Sequence, residues 1–417
     1  MLTLVVITFL ILLLTYFFIF SKSTSNPEKE EEKNKKTENF PQTSSSTEKI
    51  EKDIQDDKPK IDISKYLFKT IKEGKDMTKC YFYKNGHIIL FCDDKRINLC
   101  YLKNLKSPNH KIFSKSIEKD TIVDVSYAPE KKRVFCASKN SKSILSYNLE
   151  KIDGKIKLNK SEKVIKCDRP YEIKSLVSND NGELISTIGT NDDTEIQIYD
   201  PNTLDIKFKE SNGAIKNFQI LFENNSSNLL ISTFMNDICV INCEKTDKFN
   251  NESKIYENFY KFKRERSISG FKSKLEYFCL SNDQRFFAVL CDDKTIKIFR
   301  NYGNMCEAKF FSQISLEHSA TIISLYVESF ESERLYGYIG VGDGRNIYLY
   351  DTNGKLILEL NEAHEGNIIS LLVTKSDLNS EGYDEEIKSL EINNKNAELI
   401  IISAGNCGKI KFWKMMN

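Results

Sequence analysis

The feature that most constrains this chain is a short turn-and-strand unit that recurs seven times. Each copy begins with a turn containing Asp, Asn or Gly and continues into a strand with alternating apolar residues. The copies are DDKRINLCYL (93–102), NSKSILSYNL (140–149), NDDTEIQIYD (191–200), MNDICVINCE (235–244), DDKTIKIFRN (292–301), GDGRNIYLYD (342–351) and GNCGKIKFWK (405–414). A repeated unit of this kind predicts an architecture in which similar supersecondary elements pack against one another.

The first aliphatic position of each unit is an isoleucine, and these isoleucines mark the period of the repeat. They are Ile97, Ile144, Ile196, Ile238, Ile296, Ile347 and Ile410. Successive members are 47, 52, 42, 58, 51 and 63 residues apart. These spacings are somewhat longer than the ~40–45 residues of a four-stranded propeller blade, which indicates insertions in loops.

Two further strands precede the repeated unit. In the fifth copy they are LEYFCLS (275–281) and RFFAVLC (285–291), separated by a turn at Asn282-Asp283. This order of strands and turns is typical of an antiparallel meander, so residues 62–417 are predicted to form an all-β, seven-bladed β-propeller. The earlier segment Ile63–Ile71 is expected to pair with the last unit and close the ring.

The N-terminal residues Leu2–Phe20 contain no charge, Gly or Pro. As a helix they would extend about 28 Å, close to the hydrocarbon thickness of a bilayer, so residues 1–21 are predicted to be a transmembrane anchor. A cleaved signal peptide is the alternative, with Ser21-Lys22-Ser23 as the cleavage site. The length of the apolar run and the absence of a preceding Lys or Arg favour the anchor.

The residues after the apolar run predict the orientation of the anchor. Lysines occur only on this side of it, at Lys22, Lys29, Lys33, Lys35 and Lys36. Since Lys and Arg mark the cytoplasmic side of a span, the propeller is expected to face the cytosol. Residues 22–61 consist mostly of Ser, Thr, Lys and Glu and are predicted to be a disordered, charged linker.

The residue types that enzymes most often use are scarce or lie in structural positions. The eleven cysteines form no C-x-x-C pair, and several lie in apolar runs, as expected of buried free thiols in a reducing compartment. The Asp pairs at 93–94, 192–193 and 292–293 occupy the repeat turn, where Asp favours the bend. With four histidines and no nucleotide-binding or hydrolase motif, we predict no catalytic, cofactor-binding or metal-binding residue and no enzymatic activity.

Two segments are longer than the repeats require. Cys243–Ser273 contains the candidate partner-binding residues Lys261, Lys263, Arg264 and Arg266. Aromatic residues lie nearby, at Tyr256, Phe259, Tyr260 and Phe262. Basic residues interleaved with aromatics can bind RNA or an acidic protein, but the sequence favours an outer strand with a solvated charged face. Ser376–Asn396 is predicted to be a flexible acidic loop.

The repeats resemble WD40 repeats. The terminal Trp-Asp pair is approximated by Tyr199-Asp200, Tyr350-Asp351 and Phe412-Trp413, and the Gly-His element by Ala363-His364-Glu365-Gly366. The His–Ser/Thr–Asp–Trp hydrogen-bonded tetrad of strong WD40 repeats is largely missing. With the N-terminal apolar run and the charged linker, the whole arrangement is similar to the transducin β-like protein 2 family, through CDDKRINLCYLKNL (92–105), the hairpin insertion at Leu149–Leu158 and LSNDQRFFAVLCDDKTIKIF (280–299).

This resemblance implies a single-pass protein of the endoplasmic reticulum membrane with a cytosolic propeller. It also implies a role in stress signalling or translation control, and a stress-responsive kinase of the endoplasmic reticulum as a partner. The leading hypothesis is therefore a membrane-anchored scaffold that binds proteins through the faces and loops of the propeller, without a cofactor. The alternatives are an exchange factor for a small GTPase of the secretory pathway and an adaptor that binds the ribosome or RNA.

Overall fold

A computed structural model of the chain describes residues 62–415, apart from 73–75, 103–104, 107–109, 118–119, 153–154, 167–171, 180–181, 183–184, 191–193, 201, 203–204, 212–214, 224–225, 234–236, 251–254, 270, 302–307 and 377–396. The predicted anchor, the predicted linker and nearly all of the predicted acidic loop lie outside the described residues. Within the described part of the chain, no helix is long and apolar enough to cross a membrane.

The described residues form 28 strands in seven antiparallel, four-stranded sheets. The first strand, β1 (Leu67–Lys72), belongs to the last sheet. The first sheet contains β2 (Lys79–Tyr83), β3 (Ile88–Cys92), β4 (Arg96–Leu102) and β5 (His110–Ser116). The second contains β6 (Ile122–Ala128), β7 (Arg133–Ser138), β8 (Ser143–Ile152) and β9 (Lys155–Lys166). The third contains β10 (Glu172–Ser178), β11 (Ile185–Thr190), β12 (Thr194–Tyr199) and β13 (Ile206–Ser211).

Four more sheets follow in the same order. The fourth contains β14 (Ile215–Glu223), β15 (Ser226–Thr233), β16 (Ile238–Asn250) and β17 (Ile255–Ile268). The fifth contains β18 (Leu275–Leu280), β19 (Phe286–Cys291), β20 (Thr295–Arg300) and β21 (Lys309–Ser315). The sixth contains β22 (Ile322–Glu331), β23 (Arg334–Asp343), β24 (Asn346–Asp351) and β25 (Leu356–Leu360). The closing sheet combines β26 (Ile368–Ser376), β27 (Glu398–Gly405) and β28 (Lys409–Lys414) with β1.

The seven sheets contact one another in a closed ring. The first strand of each sheet contacts the first strand of the next, from β2 and β6 through to β22 and β26, and β26 also contacts β2. Apolar cores fill the spaces between neighbouring sheets, as where Phe286 of the fifth sheet packs with Ile339 of the sixth. The fold is therefore all-β and consistent with the predicted β-propeller.

The last sheet is closed by the strand nearest the start of the described chain, as predicted. β1 pairs antiparallel with β28, and Ile71 lies opposite Ile410. The strand is shorter than the predicted segment Ile63–Ile71, because Ile63–Lys65 form a 3₁₀ turn before it. The Asp62 side chain accepts a hydrogen bond from the Ser64 N–H and caps this turn.

The seven repeat isoleucines occupy equivalent positions in the seven sheets. All of them lie in the third strand, which has a strand on either side and neighbouring sheets above and below. None is more than 1% exposed. The periodicity in the sequence thus correctly identified an equivalent interior strand in every sheet.

The long segment Cys243–Ser273 forms, for the most part, a hairpin, and its second strand is the outer strand that the sequence favoured. β16 continues to Asn250, and β17 pairs with it along nearly its whole length, from Asn250 opposite Ile255 to Ile238 opposite Ile268. The hydrogen bonds between the two strands are made by backbone groups, so polar side chains here do not interrupt the pairing.

A glycine in the sixth sheet permits close packing against the closing sheet. A Cβ atom at Gly340 of β23 would lie 2.5 Å from Cγ2 of Val373 on β26. Because real Cβ atoms do not approach so closely, any larger residue would force the two sheets apart.

Candidate functional site

The four predicted partner-binding residues all lie on β17, the outermost strand of the fourth sheet. Lys261 lies opposite Glu244 of β16, Lys263 opposite Asn242 and Arg264 opposite Ile241, while Arg266 lies at a register irregularity. The Lys263 side chain is exposed. The structure thus brings the basic residues together on one strand at the edge of a sheet, and their role in binding stays a prediction.

A cleft of about 610 Å³ opens between the sixth sheet and the closing sheet. Its walls combine apolar and charged side chains from β1, β23, β25 to β28 and the residues flanking them. The lining residues are Lys65, Tyr66, Phe68, Tyr338, Ile357, Lys375, Ala397, Glu398, Leu399, Lys414 and Met415. The volume falls within the range of sites that bind small molecules or inserted side chains.

Charged side chains in this cleft are paired, and its wall includes an exposed apolar side chain. Lys414 forms an ion pair with Glu398 at 2.7 Å, and Lys375 pairs with Glu328. Ile357 in the wall is 39% exposed, and Leu356 and Tyr336 of the same sheet are 36% and 46% exposed. An exposed apolar side chain in the wall of a cleft is typical of sites that bind other molecules.

A chain of buried polar groups crosses the closing sheet. The Trp413 Nε1–H donates to Ser403 Oγ at 2.8 Å, and His364 Nε2 lies 2.8 Å from the same oxygen. The Cys407 Sγ lies 3.8 Å from His364 Nδ1. The expected loss of the His–Ser–Asp–Trp tetrad is therefore incomplete, since three members are present here and a thiol lies beside the imidazole.

The imidazole of His364 is held in its neutral form. Burial lowers the pKa of His364 to about 3, and the positive charges of Lys411 and Lys409 add to this effect. The Lys411 Nζ donates to the Ala363 carbonyl oxygen at 2.5 Å, and Lys409 pairs with Glu365. The weak Gly-His resemblance at 363–366 was the sequence signal for this histidine.

A second buried network joins three sheets through Asp124, which is fully buried on β6. Its carboxylate accepts from the Tyr81 hydroxyl of the first sheet at 2.6 Å. It also accepts from the Ser175 hydroxyl at 2.9 Å and the Leu176 N–H at 3.0 Å, both in the third sheet. Burial and the nearby Asp124 carboxylate raise the pKa of Tyr81 well above its usual value. The sequence signal for this network, which the motifs above do not include, is an Asp inside the apolar strand Ile122–Ala128.

The Asp pairs at the repeat turns have the predicted structural role. Asp93 accepts hydrogen bonds from the Lys95 and Arg96 N–H groups at 2.8 and 2.7 Å. Asp293 accepts from the Thr295 N–H at 3.1 Å, while the pair at 192–193 lies outside the described residues. No group of three or more His, Cys, Asp or Glu residues within the described ranges is arranged to hold a metal ion.

The described cysteines are free thiols, and six of the seven are buried. Burial raises the pKa values of Cys80 and Cys136 well above the usual range, and those of Cys92 and Cys279 to about 12. These thiols therefore behave as small apolar side chains, as predicted from the runs in which they occur. Cys407 differs from them because it is partly exposed.

Comparison with known proteins assigns neither a family nor a function to the chain. No protein-family model matches the chain. No curated protein sequence matches it either.

Proposed function

We propose that this chain is a WD40-type β-propeller that acts as a protein-binding scaffold held at a membrane. The observation that carries the proposal is the cleft beside the closing sheet, whose wall includes the exposed apolar side chain of Ile357. Its occupant would be an extended protein segment that inserts a large apolar side chain beside Ile357. Burial of that side chain would supply most of the binding energy.

Two observations support the WD40 type. Seven four-stranded sheets contact one another in a ring, and the ring is closed by a strand from the other end of the described chain. The hydrogen bonds among His364, Ser403 and Trp413 match three of the four members of the WD40 tetrad.

The membrane attachment rests on the sequence. Leu2–Phe20 has the length and composition of a single transmembrane helix, and the lysines that follow it favour a cytosolic propeller. The resemblance to the transducin β-like protein 2 family supports the endoplasmic reticulum as the membrane. It also supports a role in stress signalling or translation control, with a stress-responsive kinase among the partners.

The test of the scaffold is proximity labelling in intact cells, with the labelling enzyme fused to the C-terminus. The variant Ile357→Asp places a charge in the cleft and should reduce the labelling of cleft partners about tenfold, a loss typical of a central binding residue. Phe310→Asp is the matched control, because Phe310 is 58% exposed on a different sheet. Equal labelling of every neighbour by the wild type and Ile357→Asp would contradict binding at the cleft.

The test of the anchor uses the same cells. Deletion of Leu2–Phe20 should release the chain from membranes that are extracted at alkaline pH, whereas Ile357→Asp should remain in the membrane pellet. A deletion variant that stays in the pellet would contradict the anchor and leave the binding result unaffected.

Binding to RNA or the ribosome is a second candidate function, favoured by the position of four basic residues on one outermost strand. Replacement of Lys261, Lys263, Arg264 and Arg266 by Glu should abolish co-sedimentation of the chain with ribosomes, because cationic side chains dominate non-specific binding to phosphates. Unchanged co-sedimentation would exclude this strand as the contact.

A further inference from the structure

The outermost strand of the fourth sheet is longer than that of any other sheet. β17 has 14 residues, whereas the outermost strands of the other six sheets have 5 to 12. Within the described part of the chain, β17 pairs with β16 alone, so one of its edges has no partner strand. The backbone N–H and C=O groups of such an edge can pair with a strand of another chain.

The hairpin of β16 and β17 also extends beyond the rest of its sheet. β15 pairs with β16 only as far as Glu244. β16 and β17 then continue through six more residue pairs, from Lys245 opposite Tyr260 to Asn250 opposite Ile255. Because a two-stranded ribbon is only marginally stable in water, a further strand beside β17 would stabilise this extension.

The charged residues of β17 are unevenly distributed. Residues 255–260 include one, Glu257, whereas residues 261–266 include five. Proteins commonly protect an exposed edge by placing charged residues along it. The first half of β17 lacks this protection, and it consists mostly of aromatic and β-branched residues, which favour strands.

The sequence of β17 is complementary to itself when two copies pair antiparallel about Phe259. Phe259 then lies opposite Phe259 of the second copy, and Glu257 lies opposite Lys261 of the second copy. Tyr256 lies opposite Phe262 in the same register, and twofold symmetry repeats both of the latter pairs. Aromatic pairs and pairs of opposite charge at directly opposite positions stabilise antiparallel strands.

The neighbouring registers fit less well. Free N–H and C=O groups of two identical antiparallel edges meet only in a register centred on a residue. A register centred on Asn258 places Phe259 opposite Glu257, and one centred on Tyr260 places Phe259 opposite Lys261. Both set a charged residue opposite an aromatic one, so the register centred on Phe259 is favoured.

We propose that β17 is a dimerisation strand, and that its partner is β17 of a second copy of this chain. The two strands pair antiparallel over residues 255–263, with Phe259 at the twofold axis. The two four-stranded sheets then form one continuous sheet across the dimer. Dimerisation through β17 requires neither the cleft nor the membrane anchor.

Charge exchange across the interface is the first test, on the full-length chain in detergent micelles. The mass of the protein is measured by size-exclusion chromatography with light scattering over a range of concentrations. The wild type should dimerise. Glu257→Lys or Lys261→Glu should weaken the dimer at least about tenfold, because each change places like charges opposite each other at two symmetric positions. The double variant Glu257→Lys/Lys261→Glu should restore the dimer, which a misfolded variant would not do.

Lys309→Glu is the matched control for the charge variants. Lys309 is exposed on β21, the outermost strand of the fifth sheet, so its replacement should leave dimerisation at the wild-type level. A wild type that is monomeric at its highest soluble concentration would overturn the proposal. So would a double variant that dimerises no better than the two single variants.

Disulfide formation tests the register. Phe259→Cys places two cysteines directly opposite each other at the twofold axis, within reach of a disulfide. Mild oxidation should convert most of this variant to a covalent dimer on non-reducing gels, above the background of the wild type. Tyr256→Cys should remain at that background, since Tyr256 lies opposite Phe262 and not opposite itself. Cross-linking of Phe259→Cys no stronger than that of Tyr256→Cys would overturn the proposed pairing.

Discussion

Buried polar side chains hold neighbouring sheets together at a few positions, and Asp124 is one that contacts two other sheets at once. Its two oxygens accept from Tyr81 on one side and from Ser175 and Leu176 on the other. A buried donor without an acceptor in such a place costs the full free energy of its desolvation. Loss of this carboxylate should therefore destabilise the folded chain.

The variant Asp124→Asn should reduce the free energy of unfolding by about 2–3 kcal/mol. Its amide group has one acceptor oxygen, so a backbone or hydroxyl donor of a neighbouring sheet loses its acceptor. Urea unfolding with a fitted m-value measures the change. Asp93→Asn is the control, because Asp93 lies in a turn at the surface and its replacement should cost less than about 0.5 kcal/mol. Equal midpoints for the two variants would contradict the role of Asp124.

The pH dependence of stability should show the burial of His364. Its pKa is about 3 in the folded chain and 6.5 ordinarily. Between these values the unfolded chain binds a proton that the folded chain does not. The free energy of unfolding therefore falls as the pH falls from 6.5 toward 3, by at most about 1.4 kcal/mol per pH unit from this residue. His364→Asn should have a shallower slope in urea titrations over this window. Identical slopes would show that His364 contributes nothing.

Individual residues were predictable where local periodicity decides their environment. Ile97 and Ile296 are buried because they occupy the inward positions of strands that have neighbours on every side. The partnership of His364 with Ser403 was not predictable in this way, since the two residues are 39 positions apart and meet only through sheet packing. Asp124 was missed for the same reason, because its partners come from two other sheets.

Strand β1 is short, but it contributes to the closure of the ring in two ways. Ile71 in this strand is 1% exposed and packs in the core shared by the closing sheet and the first sheet. The strand thus contributes both a hydrogen-bonded edge and an apolar contact across the junction of the ring.

Ile71→Ala should reduce the free energy of unfolding by about 3 kcal/mol, the usual cost of truncating a buried aliphatic side chain. Lys72→Ala in the same strand is the matched control and should change stability by less than about 0.5 kcal/mol, because Lys72 is exposed. Chemical unfolding followed by tryptophan fluorescence is suitable, since Trp413 lies in the neighbouring strand β28. A loss for Ile71→Ala no larger than that for Lys72→Ala would contradict the closure.

The type of each strand was easier to predict than its ends. β19 and β20 follow from apolar runs bounded by turns, and both were expected within a residue or two. β17 was expected to be an outer strand with a solvated charged face, and the structure confirms the outer strand, but its length was not predicted because its sequence is dominated by charged and polar residues. Its pairing with β16 depends on backbone groups, which the side-chain pattern does not reveal.

For the whole molecule, removal of residues 62–72 should lower the melting temperature in a single transition. Without β1 the closing sheet loses an edge strand, and its contact with the first sheet loses part of its core. Circular dichroism in the far and near ultraviolet should report coincident melting curves if the ring unfolds as a unit. A truncated chain with the wild-type melting temperature would show that the ring does not need β1.

The pairing of β1 with β28 also sets the order of events while the chain is being made. Translation adds ~5–20 residues per second, so β1 leaves the ribosome roughly twenty seconds to a minute before its partner strand exists. During that interval Phe68 and Ile71 have no β28 to cover them. A nascent chain of this kind offers chaperones a defined early binding segment, and it can finish folding only when its last described strand emerges.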